Sequence, residues 1–460
     1  NFGLADADSV EFVRVLWPSG VRQTEPAMKA NRSLHLTELN RKGTSCPIVY
    51  AWDGERFEFV SDIMGGAIIG YLLGPGEYNQ PDTDEYLPLG EIDTKDGSFV
   101  VQLANQLEEI IYTDAIHLIA VDHRSGTTVF PNERLLAEPP YPEFEIIALE
   151  GLRPPEGAED HMGNDVLSEI LAVDNDWVEN FESTGIHGYV SDHHVTLDLG
   201  DLSAIARPVM VAHGWVDYAH STSNWAAAQR GLALHPPKLE VIDESGKWKQ
   251  VSADMGVPAG LPKQMAVDLR GLFPSDDFRI RIATNAAVYW DQFLVGSAVD
   301  DVTAIHRLVP TRSDLHWRGY PEDTSINGTF AFEYEYETVK QTAPWGSHSG
   351  SYTRFGDVTP LTQKVDDRFA IMFHGDELTV EFQDTLPQLS AGSTRTFLLY
   401  ADGFGKDMDY HSAYSLSVEP LPFHAMSGYP YASSEQYPHS REHQAYRQEY
   451  NSRRIKGYYE

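Results

Sequence analysis

Apolar and polar side chains alternate along most of this chain with the two-residue period of a β-strand. Residues 10–17 and 32–38 show it first. Residues 48–52 and 57–60 flank Asp53-Gly54, a dipeptide that takes the positive φ a tight turn needs, so a hairpin is predicted there. Three more strands are predicted at 100–103, 110–112 and 116–121. Prolines and glycines at 139–142 and 153–157 interrupt the pattern and mark a loop-rich boundary. Residues 159–182 hold the best helical candidate, with Val166, Leu167, Ile170 and Leu171 on one face.

Alternation resumes at 186, and strands are predicted at 194–199, 208–212, 239–242, 248–251, 265–269, 278–283, 287–291 and 293–295. Their even, short spacing is that of a β-sandwich or jelly roll. Further strands fall at 303–309, 330–336, 369–373, 378–382 and 396–400. The expected fold is all-β. A small β module (1–45) precedes a β-rich domain (46–150), a loop or helical insert (151–185), a sandwich (186–300), a second β-rich domain (301–426) and an extended Tyr/Pro-rich arm (427–460). No internal repeat stands out. Aromatics on an extended arm bury well in an interface, so the segment from Gly428 onward is a candidate for wrapping a neighbouring subunit.

Composition narrows the setting. The chain carries 69 acids against 34 bases, a formal charge of −35, with 11 lysines and 23 arginines. That balance argues against nucleic acid and anionic membranes as partners. It suits an extracellular medium or a cationic partner, and it resembles halophile surfaces. No run approaches the roughly 18 to 20 apolar residues of a membrane span. Cys46 is the one cysteine, so an intramolecular disulfide and cysteine-based zinc or iron–sulfur sites are excluded. A buried thiol is expected there. A secreted β protein without disulfides points to a bacterial origin. The chain opens at Asn1 without Met or a signal segment, which reads as the C-terminal part of something longer.

The segment Val13-Arg-Val-Leu-Trp17-Pro-Ser-Gly20, with Asn31, Leu34, Leu36 and Glu38 after it, resembles the ASPIC/UnbV domain. That family is a small β module at the end of secreted proteins built from FG-GAP propeller repeats. Residues 46–62, 107–114, 121–123, 289–292, 352–357, 405–407 and 419–423 resemble the region that follows it in long bacterial members. The resemblance implies a secreted, periplasmic or outer-surface location. The family's propeller would lie upstream. Its Asp-rich calcium loops do not occur in this sequence, so that calcium role is not carried over.

Two acidic loops could wrap a hard cation such as Ca²⁺, which takes six to eight oxygens. One holds Asp82, Asp84 and Glu85; the other holds Asp402, Asp407 and Asp409. Neither has EF-hand spacing, and both also read as solvated turns. The histidine pairs His193-His194, His213 with His220, and His439 with His443 lack the HExxH arrangement and read as structural or surface residues. Gly346-Ser-His-Ser-Gly350 has His348 where a nucleophile elbow places serine. Neither a P-loop nor a dinucleotide fingerprint occurs. Glycoside hydrolysis needs two facing carboxylates without fixed spacing, and Asp291, Glu240 and Asp268 lie on or beside predicted strands. Trp215, Tyr218, Trp225, Trp248, Tyr289 and Trp290 accompany them as sandwich core or as a platform for sugar rings. Arg279 and Arg281 fall on one strand face, and an internal pairing with acids is expected. The expected function is a non-enzymatic extracellular or periplasmic binding or scaffold protein with protein or glycan partners. The alternatives are a carbohydrate-active enzyme and a structural subunit of a cell-surface complex.

Overall fold

The structure is a computed structural model that describes residues 3–18, 21–39, 46–179, 181–343 and 345–456. Its first element is the antiparallel pair Ser9–Leu16 and Arg22–Lys29. The Trp17 indole donates to Gln23 Oε1 at 2.7 Å, and the same oxygen accepts the Leu39 amide at 3.1 Å. Ser19 and Gly20 of the opening motif lie outside the described residues.

Strand alternation then builds two sandwich-like bodies whose sheets are antiparallel throughout. In the first, a five-stranded sheet runs Val302–Leu308, Ile110–Arg124, Ser393–Lys406, Asp84–Gly90, with Ala370–Met372 also paired to Ile110–Arg124. A seven-stranded sheet faces it, centred on Asp376–Gln383, Ser98–Ala104 and Ile48–Trp52. Leu103, Ile111, Leu378 and Leu399, each fully buried, fill the space between. The hairpin Ile48–Trp52 with Phe57–Asp62 forms as the sequence predicts. The sheets join residues 48–124 to residues 302–406, so the two β-rich segments on either side of the middle of the chain make one body.

The second body is inserted between them. Ten strands from Thr128–Pro131 to Arg279–Val299 form one connected sheet system. The 21-residue strand Arg279–Val299 ties it together: its first half pairs with Tyr189–Asp198 and Lys238–Ile242, its second half with Pro208–Asp217 and Ile146–Arg153. The insert begins and ends at a staple, where Arg124 pairs with Asp301 at 2.7 Å. Among the described residues of 159–182, the helical content is the 3₁₀ turn Leu167–Ile170, and Glu159 and Asp160 end the strand Gly157–Asp160. The α-helices are Ser221–Gln229 and Arg441–Glu449.

The two bodies repeat one design. Ile110–Arg124 lies between Val302–Leu308 and Ser393–Lys406, as the second half of Arg279–Val299 lies between Ile146–Arg153 and Pro208–Asp217. Each carries a bulge at an aspartate: Asp114 is skipped between Thr113 and Ala115, and Asp291 between Trp290 and Gln292. Opposite each bulge stands a glycine that admits no side chain. A Cβ on Gly403 would lie 2.1 Å from the Tyr112 carbonyl oxygen, and one on Gly214 would lie 2.2 Å from that of Tyr289. The loops they hold, Val173-Asp-Asn-Asp-Trp177 and Val365-Asp-Asp-Arg-Phe369, share a valine, an aspartate, a positive-φ residue (Asn175, Asp367) and an aromatic. The repeat escapes a reading of the sequence because only these few positions persist.

The C-terminal segment lies along its own first body. Tyr429, Tyr437 and Tyr446 are buried in that core. Lys406, fully buried, donates to the Ser417 and Val418 carbonyls and to the Tyr429 hydroxyl. Arg453 clasps Asp376. Among the described residues, Tyr429, Tyr437 and Tyr446 of the segment offered by the sequence to a neighbouring subunit thus pack within the chain itself. Residues 457–460 lie outside the described residues.

Candidate functional site

Strand alternation divides the first acidic loop. Asp84 sits directly across from Asp402 in the ladder, and Glu85 faces the other way. Glu85 and Asp62 both pair with the buried Lys263 ammonium, at 2.7 and 2.9 Å. Lys263 belongs to the inserted body, so this triad locks the two bodies together. Burial pulls the Lys263 pKa down, but the two carboxylates outweigh it and hold it above the ordinary value. The second acidic loop also separates. Asp402 lies in a strand, whereas Asp409 accepts from Thr222 and from the His411 amide beside the first α-helix. Asp407 is buried beyond the strand's end.

What gathers is Asp402 with Asp114 and His424, a set that sequence spacing did not reveal; their ligand atoms lie within 4.8 Å of one another. The His424 ring bridges Asp367 Oδ1 at 2.7 Å and Asp402 Oδ1 at 2.8 Å. Ionised carboxylates only accept, so both ring nitrogens donate and the ring is an imidazolium. Burial disfavours that charge, but the bonds to Asp367 and Asp402 prevail and push the pKa up to about 10. Asp114 is fully buried; one oxygen accepts the Asp366 and Asp367 amides at 2.9 and 2.8 Å, and its Oδ1 has no hydrogen-bond partner. Burial raises its pKa to about 7. Asp82 also rises to about 7, by burial first and then by Asp84, Glu85 and Asp402. Like charges facing across a ladder repel, and Asp84, Asp402, Asp367 and Asp114 gather about one imidazolium, with Arg307 and Arg368 acting on Asp84 and Asp114 through charge alone.

The equivalent place in the second body is leaner. Asp291, fully buried, accepts the Asp174 and Asn175 amides at 3.3 and 3.1 Å, and His213 lies 3.3 Å away. His213 occupies the position of Asp402. A bulged aspartate that clamps two successive amides is therefore a structural device of both bodies, and the surplus acid is particular to the first. The donor set of one imidazole and two carboxylates fits Zn²⁺ or Mn²⁺ better than Ca²⁺, which prefers oxygen alone.

Most of the aromatic candidates are internal. Trp215 is fully buried and stacked on Tyr289 at 4.2 Å; Trp290 packs on Phe293. Tyr218 is half-buried against the same core. Arg281 lies over Trp248 at 4.0 Å, with Glu240 at 3.9 Å, and Arg279 pairs with Asp277 at 2.6 Å, the internal pairing expected of these arginines. Asp268 is bound by Arg270. Trp225 differs. It projects from the helix Ser221–Gln229, is 37% exposed and stacks on His411, which the exposed Tyr410 meets edge-on. The same loop carries exposed Tyr414 at φ 53°, an unusual conformation for a bulky residue. Neither Tyr410 nor Tyr414 was signalled by sequence pattern, because an exposed aromatic and a buried one look alike until the surface is known. His193 and His194 lie near His161 on the second body, at 6.4 and 6.2 Å between rings. His348 is buried, and His443 lies in the C-terminal helix.

Residues 1–43 match the family model described as ASPIC and UnbV. The chain carries an ASPIC and UnbV domain. That family is of an extracellular type. No curated protein matches the chain in sequence. Among solved structures, that of infectious bursal disease virus Gx strain is 8% identical over 79% of this chain and 77% of its own, with a TM-score of 0.13. The infectious bursal disease virus VP2 subviral particle is 9% identical over 78% and 76%, with a TM-score of 0.11. Both likenesses are too weak to inform fold or function. Beyond the ASPIC and UnbV domain, no described helix is long and apolar enough to cross a membrane.

Proposed function

We propose that this chain is a non-enzymatic binding or scaffold part of an extracellular FG-GAP-type protein, secreted, periplasmic or on the outer surface, with a glycan as the favoured partner and a protein as the other. The observation that carries the glycan is the aromatic cluster of exposed Trp225 and Tyr410 about His411, because a sugar ring lies on an aromatic face and its hydroxyls take polar groups beside it. The part-buried Thr222 hydroxyl, 2.9 Å from His411 Nδ1, supplies such a group at its edge. The catalytic alternative loses support because Asp291 is buried and occupied by backbone amides. A glycan array probed with the wild type and with Trp225→Ala is the test. Selective signals lost in the variant support the reading; no signal, or signals unchanged in the variant, refute it.

The surplus carboxylates around His424 support a second element of the same reading, a divalent cation held by Asp114, Asp402 and His424, whose binding displaces a proton from the imidazolium to free a ring nitrogen. Calorimetric titration with Zn²⁺, Mn²⁺ and Ca²⁺, beside melting curves with and without chelator, tests it. Ligand at 100 times its Kd adds about 2.7 kcal/mol, a clear rise in melting temperature. Absence of heat and of any shift with all three ions, or equal behaviour of Asp402→Asn, would remove the cation from the model.

A further inference from the structure

A cleft of about 400 Å³ opens on the inserted body, with Val302 of the first body at its edge, and none of the residues discussed for cation or glycan lies in it apart from Asp268. Its floor is apolar, with Ile147, Val209 and Ala298 among the strand residues lining it. Its walls carry three arginines, Arg134, Arg207 and Arg270, in a chain whose formal charge is −35. Two of them are neutralised internally: Arg207 by Asp300 at 2.7 Å and Arg270 by Asp268 at 2.5 Å.

Arg134 is not. Among the described residues it has neither an ion pair nor a hydrogen bond, and its Nε is buried without an acceptor. Its stem is held in place against Gly256, where a Cβ would come within 3.0–3.1 Å of the Arg134 Cβ, Cγ and Cδ. Burial draws the pKa of this guanidinium down, with Asp254 and Asp268 opposing from a distance. An unsatisfied buried donor is costly, and more so when charged. With twice as many acids as bases in the chain, an internal partner was available to evolution and is not supplied. A packed stem and an open fork are the features of an arginine prepared for an incoming ligand.

We propose that this cleft binds a small organic carboxylate, whose two oxygens engage the Arg134 fork and whose aliphatic body lies on the Ile147, Val209 and Ala298 floor. A planar carboxylate matches the guanidinium in two parallel hydrogen bonds. The volume falls within the usual range for small-molecule sites. The neighbouring Asp268, Asp300 and Glu145 disfavour a doubly charged ligand such as phosphate and leave acceptors for hydroxyl groups on the carboxylate's body.

Calorimetry with hexanoate and gluconate as aliphatic and hydroxylated probes, and with inorganic phosphate as the control, tests this on the full chain. Saturable one-to-one binding of at least one carboxylate is expected, weakened about 10-fold or more in Arg134→Met. Arg134→Lys keeps charge and stem but loses the fork. It should bind several-fold more weakly than wild type, and it stands in if the methionine variant does not fold. Binding of neither carboxylate, affinity unchanged in the variants, or phosphate bound as well as the carboxylates would each overturn the proposal.

Discussion

Replacing Lys263 with methionine should loosen the joint between the two bodies. The ammonium sits among Asp62 Oδ1 at 2.9 Å, the Asp62 carbonyl at 2.9 Å and Glu85 Oε1 at 2.7 Å, and all three side chains are at most 6% exposed. Methionine keeps the stem and the packing but leaves two carboxylates buried side by side. Each retains one backbone donor, Leu261 to Asp62 at 3.1 Å and Gly65 to Glu85 at 2.9 Å, which softens the loss without cancelling it. Breaking a buried ion pair from one side costs about 3–5 kcal/mol. With a urea slope of about 3 kcal/mol per M, the unfolding midpoint should drop by about 1 M or more. The assay is equilibrium urea unfolding followed by tryptophan fluorescence and circular dichroism. One orphaned carboxylate can escape by taking a proton, so the loss should be smaller at pH 5 than at pH 8, and Glu85→Gln in the same chain should restore part of it. The exposed pair Lys340 and Glu322, at 3.8 Å, is the control, since such pairs contribute at most about 1 kcal/mol. A Lys263→Met midpoint indistinguishable from that of Lys340→Met would refute the reasoning.

Asp122 accepts both arms of Arg395, at 2.5 and 2.8 Å, and His306 at 3.2 Å, which hold its pKa below the usual carboxylate value. A depressed carboxyl stabilises the fold above its unfolded pKa and loses that contribution as pH falls through the folded one. Asp122→Asn should therefore cost about 1–3 kcal/mol at pH 7 and progressively less below about pH 4; a penalty independent of pH in denaturant titrations would contradict this. Gly403→Ala and Gly214→Ala should each destabilise by more than about 3 kcal/mol, because the added carbon meets a bulge carbonyl that cannot retreat. Thermal melting of the two variants side by side checks it, and tolerance of either would break the equivalence of the two bulges.

Local pattern determined a good deal of this protein. Alternation marked most strands, Asp53-Gly54 marked a hairpin, and the Trp17 segment marked the ASPIC and UnbV domain, because each depends on residues a few positions apart. The same locality misplaced the helix at 159–182 and missed Ser221–Gln229, whose short apolar content gives no stripe to read. It grouped Asp82, Asp84 and Glu85 as neighbours, although the pleat sends Asp84 toward Asp402 and Glu85 toward Lys263. Only the tertiary structure decided that strands from 48–124 and 302–406 share sheets around an insert, that Asp114 meets His424 across more than three hundred residues, and that Arg134 faces a cleft without a partner. Pairing over such distances is chosen by the burial and register of whole sheets, and single-residue chemistry at a bulge or a cleft wall acquires its meaning once that register is set.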